Sequence, residues 1–201
     1  MKIRIRLSGA RLASREEPDS EVKARVRTMF KKALEEAKEK AKDPNLVFPL
    51  EEEIEKAIEI VPDKFLKLIR DIEILHEYDP RGIGWAGWNN TIILGPEPRP
   101  VYEEDRKASP KRPGWDHEIW KCTFIHELGH IVYENLPEDD KQYWKDVVYP
   151  EVFLAGPALW DDPEECFADC FLGFLLKDKR IPLDAILFFE DLITDEMVAE
   201  R

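Results

Sequence analysis

The sequence predicts an α+β fold, mostly helical with one short β section in the middle. Apolar residues recur three and four apart over 21–42, over 50–60 and again from 116 to 193, the period of an amphipathic helix. Between 72 and 94 the period drops to two, and turn residues separate short apolar runs. With 201 residues, 43% of them hydrophobic, the chain can bury a real core in one domain or in one domain with a small appendage.

At the start of the chain, Ile3, Ile5 and Leu7 alternate with Lys2, Arg4 and Arg6, which predicts a half-buried strand. A polar loop follows through Pro18, and Ser20 is placed to cap a helix. In that helix Val22, Val26, Met29, Ala33 and Ala37 form one stripe among Lys and Glu, and it ends before Asp43-Pro44, since the residue preceding proline disfavours helical backbone. Leu50, Ile54, Ala57, Ile58 and Val61 repeat the pattern. Pro62 then opens a short helix carrying Phe65, Leu66 and Ile69. Ile72, Ile74 and His76 alternate with charged residues and predict a strand, with His76 on its exposed face. Gly82–Trp88 and Thr91–Leu94, joined through Asn89-Asn90, predict a tight hairpin. The proline-rich, aperiodic stretch 95–114 reads as a long loop. Helices are expected over about 116–135, 138–148, 163–177 and 182–193. Residues 49–201 form the expected main domain, and residues 1–48 an extension that either covers a site or adds to the sheet.

The formal charge of −13 and pI near 4.9 exclude nucleic acid as a partner, because phosphate neutralisation needs a basic surface. They exclude docking on an anionic membrane for the same reason. No apolar run approaches a bilayer span, and the first residues lack the apolar segment of a secretory signal. Three cysteines do not make a disulfide framework. A cytoplasmic protein is expected, with its oligomeric state left open. The 36% charged residues, rich in Lys and Glu, and the 15 prolines suit the surface ion-pair networks of a thermophile.

The chemistry concentrates in His126-Glu127-Leu128-Gly129-His130. Residues four apart on a helix share a face, so both imidazoles can reach one ion while Glu127 stays free to accept a proton from water. The flanks Cys122–Ile125 and Ile131–Tyr133 are apolar, so the helix is expected to be buried. Two histidines buried beside a glutamate are costly unless something satisfies them. A second signal lies downstream in Pro163–Phe171, where Asp162 can cap the helix. Glu165 and Asp169 share one face of this otherwise apolar helix. Glu165 as third ligand and Asp169 as acceptor for a ligand histidine's other N–H explain that pair, with zinc the ion that suits two imidazoles and a carboxylate. Glu164 competes for the ligand role, but it lies on another face near the helix N-terminus.

Together, the His126-Glu127-x-x-His130 and Glu165-x-x-x-Asp169 motifs resemble the gluzincin clan of zinc peptidases. Glu165–Phe171 is similar to the corresponding helix of lethal-factor-like peptidases. With Leu175-Leu176 added it also resembles the ImmA/IrrE family, which cleave or inactivate transcriptional repressors. That family usually carries Asn where Asp169 stands, and Met-Pro where Lys177-Asp178 stand. The resemblance spans residues 62 to about 177. It implies a zincin-like domain: a small twisted sheet packed on a metal-bearing active-site helix, with a helical C-terminal half. It further implies Zn2+ held by His126, His130 and Glu165, Asp169 supporting a ligand histidine, Glu127 as general base, and a peptide or protein substrate. An edge strand, 84–88 or 91–94, would pair with extended substrate. A zinc-dependent peptidase is thus expected, the alternative being a catalytically silent or regulatory binding protein on the same scaffold, for example a repressor-interacting factor. No tyrosine stands just before Glu165, where the nearest aromatic is Trp160; Tyr149 and His117 stay open as oxyanion donors. Cys122, Cys166 and Cys170 fall near the site, as small buried hydrophobes or as a thiolate ligand. The tryptophans at 85, 88, 115, 120, 144 and 160 are expected to cluster around it.

Overall fold

The computed structural model of the chain describes residues 20–108, 114–155 and 162–194; the strand expected over 2–7 lies outside them. Helix α1 (Glu21–Lys40) begins where its cap predicts, with the Ser20 hydroxyl accepting from the Lys23 N–H at 3.1 Å. It buries Val26, Phe30, Leu34 and Ala37, and Val22, Met29 and Ala33 flank this stripe half-buried. Those side chains pack on α2 (Glu51–Ile60), α3 (Asp63–Leu66) and strand β2 (Asp71–Ile74). The Arg25 guanidinium secures the contact by donating to the carbonyls of Ile69 and Leu66, at 3.0 and 3.1 Å. Helix α1 therefore shares one hydrophobic core with the segments that follow it.

The β section forms a three-stranded sheet in the order β2–β4–β3, with β3 at Gly84–Gly87 and β4 at Thr91–Leu94. Strands β3 and β4 pair antiparallel, as the hairpin signal predicts. Asn89 and Asn90 close the turn in the left-handed region at φ 64° and 60°, which asparagine tolerates better than most residues. Strands β2 and β4 pair parallel. A separate ribbon joins β1 (Leu46–Val47) to β5 (Glu97–Pro98).

Two expectations need correction. The stretch 95–114 is not one long loop, since β5 runs directly into α4 (Arg99–Ala108). Its prolines mislead because Pro98 ends a strand and Pro100 lies in the first helical turn, where a missing N–H removes no hydrogen bond. The helix expected over 138–148 instead comprises α6 (Glu138–Tyr143), a π-helical turn at Trp144–Val148 and α7 (Tyr149–Ala155). The wider turn comes just before Pro150, whose ring and missing N–H are incompatible with a regular α ladder.

The centre of the molecule is the packing of α5 (Ile119–Glu134) on α8 (Pro163–Leu175). Every residue of α5 from Ile119 to Tyr133 is buried. Its first turn is capped from a distance, with the Trp120 N–H donating to the buried Glu53 carboxylate of α2 at 2.8 Å. Helix α8 is capped locally, with Asp162 accepting from the N–H groups of Glu164 and Glu165. The Trp144 indole donates to the Pro163 carbonyl at 2.7 Å, tying the π turn to the start of α8. Behind the pair, Phe167 and Trp144 meet edge to face at 5.0 Å, and Phe189 of α9 (Leu183–Thr194) lies 5.1 Å from Phe167. No helix of the described residues is long and apolar enough to cross a membrane.

Close approach of α5 and α8 depends on Gly129. A Cβ there would lie 2.8 Å from the Ala168 Cα and 3.2 Å from its Cβ. The nearer atom is backbone, so the helices could accept a side chain only by separating. Gly129→Val is expected to destabilise the fold by about 1–3 kcal/mol, the usual cost of overpacking. That corresponds to about 2–4 °C of Tm per kcal/mol in a domain of this size. Ala168→Gly should restore little of the loss, because it leaves the backbone contact in place; thermal unfolding of the single and double variants checks both statements.

Candidate metal centre

His126 and His130, one turn apart on α5, turn their Nε2 atoms towards each other at 3.2 Å. The Glu165 carboxylate of α8 closes the group, with one oxygen 3.4 Å from His126 Nε2 and the other 3.6 Å from His130 Nε2. One donor atom from each residue lies within 4.8 Å of the others, so these three side chains could hold a metal ion. The three residues singled out in the sequence thus converge on one point.

The outward nitrogens are also engaged. His126 Nδ1 lies 3.0 Å from an Asp169 oxygen, close enough to pair although the N–H direction is not well aligned. The same carboxylate accepts the Trp115 indole N–H at 3.1 Å. His130 Nδ1 lies 3.0 Å from Glu164. Glu164 is therefore a partner of the second imidazole, a role sequence reasoning missed. The signal was available: if both histidines are to hold an ion, they need two acceptors, and Asp169 can serve only one.

Four carboxylates, from Glu127, Glu164, Glu165 and Asp169, surround two imidazoles. Burial opposes charge on His126, but Asp169 and Glu165 outweigh it and hold the imidazole pKa at about 9. The bond from His126 depresses the Glu165 pKa despite partial burial. Burial raises the pKa of Glu127, against the pull of both histidines. The assembly is an acidic site that favours positive charge at its centre.

Glu127 points into a cleft of about 500 Å3 whose other wall is β3. The Ala86 N–H of that strand donates to the Glu127 carboxylate. Gly84 lets the strand come this close, since a Cβ there would fall 2.3 Å from the Thr123 methyl and 3.0 Å from Glu127 Oε1. With β4 on its other side, β3 turns its outer edge to the cleft, whereas β4 is internal.

Of the expected tryptophan cluster, Trp85 and Trp115 line the cleft. Trp120 and Trp144 are core residues and Trp88 is 95% exposed at the hairpin tip, while Trp160 lies outside the described residues. Neither Tyr149 nor His117 lines the cleft. Tyr149 packs against the core beside Phe153, and His117 bonds the Arg106 carbonyl at 2.8 Å. Arg81 brings a guanidinium to the rim, held by Asp79 and over the Trp85 ring. The three cysteines are buried, and burial pushes the Cys122 thiol up to about 12. His76 is exposed beside Glu77 as expected, but in a bend just past the end of β2 and not within the strand.

Fold and site together define a mixed α+β protein with a two-histidine, one-carboxylate cluster beneath a strand edge. No protein-family model, curated protein or solved structure matches the chain.

Proposed function

We propose that this chain is a zinc-dependent peptidase with a zincin-like fold, in which His126, His130 and Glu165 hold the metal and Glu127 is the general base. One observation carries the reading. The two Nε2 atoms stand 3.2 Å apart, and the two Glu165 oxygens lie 3.4 Å from one and 3.6 Å from the other; ligands about 2.0–2.2 Å from a tetrahedral zinc would be about 3.3–3.6 Å apart. Two imidazoles and one carboxylate are the donor set of a catalytic zinc rather than a structural one, and the cleft that all three line would give water access to the ion.

Zinc bound here would lower the pKa of a water and polarise a substrate carbonyl. Asp169 and Glu164 hold the rings with Nε2 inward. Glu127, kept beside the cluster by the Ala86 N–H, takes the proton of the attacking water and delivers it to the departing amine. The outer edge of β3 offers backbone groups to an extended peptide, which gives affinity with little side-chain selectivity. The intact buried Glu127 favours catalysis over a silent binding role, which has no use for the base.

Reconstitution should give about one zinc per chain by elemental analysis, and the loaded protein should cleave members of a varied peptide pool. A chain that takes up no zinc, or that takes it up and cleaves nothing in peptides or folded proteins, would overturn the reading. Asp169→Ala should retain folding but weaken zinc about 10- to 100-fold in a chelator competition, the usual effect of removing a ligand's supporting acceptor. Unchanged affinity would return Asp169 to an ordinary buried acid bonded to Trp115.

A further inference from the structure

A second cavity, of about 340 Å3, lies beside the cleft and shares Gly82, Ile83 and Trp115 with it. Trp115 connects the two directly, since its indole bonds Asp169 and its ring lies 5.9 Å from that of His126. Pro80, Val101, Ile119 and Ile83 give this cavity apolar walls. Glu97 of β5 also lines it, only 2% exposed, and its Oε2 is buried without a hydrogen-bond partner. Asp105 of α4 lines it as well and interacts with Glu97.

A buried carboxylate oxygen without a donor is costly, and nearly all such groups in folded proteins find one. Two described cations of this region have partners elsewhere. Arg81 pairs with Asp79, and Arg106 donates to the His117 carbonyl and the Tyr102 hydroxyl. Among the described residues the acid pair makes no ion pair, and it faces a space with apolar walls. We infer that this cavity is the pocket for a cationic, long-stemmed side chain, lysine or arginine, with the stem against Val101, Ile119 and Trp115 and the charged head on Glu97 and Asp105. As a substrate subsite it rests on the peptidase reading. Burial, reinforced by Asp105, pushes the Glu97 pKa up to about 8. A bound cation supplies, beside the Glu97 carboxyl that lines the cavity, the positive charge that a shared proton otherwise supplies. The position fits a peptide on the β3 edge. Gly82 and Ile83 line both spaces and lead directly into that strand, so the cavity adjoins the edge along which a peptide would lie.

The test compares Nα-acetyl-arginine methylamide with its neutral isostere, Nα-acetyl-citrulline methylamide, on the zinc-loaded protein. Binding is read from the Trp115 indole N–H resonance, without reliance on turnover. The arginine probe should bind at least about tenfold tighter, as a charge-assisted contact with a buried carboxylate requires. Glu97→Gln should abolish the difference, with a Tm at pH 7 that matches or exceeds the parent's, since glutamine removes the penalty of a carboxyl raised on folding. If that variant fails to fold, Asp105→Asn, at an exposed position, should reduce the difference by itself. Equal binding of the two probes, or a preference that survives Glu97→Gln in a folded protein, overturns the pocket. Peptide cleavage that ignores arginine against citrulline also overturns it while leaving the peptidase reading intact. Probe discrimination without cleavage of any peptide keeps the pocket and removes the peptidase.

Discussion

Glu127→Gln is expected to leave zinc content at the parental level while peptide cleavage falls by about 100-fold or more, the scale of losing a general base. The substitution keeps the shape of the side chain and an oxygen to accept the Ala86 N–H, so β3 should stay where it is. Stability gives a second, independent readout. Burial raises the Glu127 pKa above its ordinary value. A carboxyl raised on folding destabilises the protein at neutral pH, and that penalty builds as pH climbs from the unfolded value through the folded one. Glutamine carries no such penalty, so the metal-free variant should match or exceed the parent in Tm at pH 7 and match it at acid pH. Loss of zinc in the variant would mean that Glu127 is a ligand and that the donor triangle has been drawn around the wrong carboxylate. Equal cleavage by parent and variant would remove Glu127 from the chemistry.

Features legible in the sequence were those fixed by neighbours along the chain. Ser20 and Asp162 cap the helices that follow them because a cap acts within three residues. Asn89-Asn90 closes its hairpin by local backbone preference. The His126/His130 and Glu165/Asp169 pairs come from helical spacing alone, and the structure brings both pairs together. Features set by contacts between distant segments were hidden. Nothing near Trp120 announces that Glu53, 67 residues earlier, will cap its helix. The parallel pairing of β2 with β4 leaves no mark in either strand. Glu164 could be seen at a helix N-terminus, where an acid suits the dipole, and that sufficient local explanation concealed its bond to His130 on another helix. Proline misled at Pro98 and Pro100 because its effect depends on where in an element it falls, and element boundaries are the least local feature of all.

Glu164 and Glu165 are adjacent, similarly exposed at 38% and 39%, and capped by the same Asp162 carboxylate. Their alanine variants should therefore differ only in what each side chain touches. Glu165 reaches both inward Nε2 atoms, whereas Glu164 reaches the outward Nδ1 of His130. Glu165→Ala removes the proposed third ligand, so reconstituted protein should hold no stoichiometric zinc after dialysis. Glu164→Ala removes only the acceptor that orients a ligand, so zinc should remain, with affinity about 10- to 100-fold weaker. Neither side chain fills the core, so the Tm of both metal-free variants should lie close to the parent's, which separates lost coordination from lost folding. The reverse order, with zinc kept by Glu165→Ala and lost by Glu164→Ala, would move the third ligand to Glu164. His130 would then have to present Nδ1 to the metal, a ring flip that the 3.2 Å approach of the two Nε2 atoms argues against.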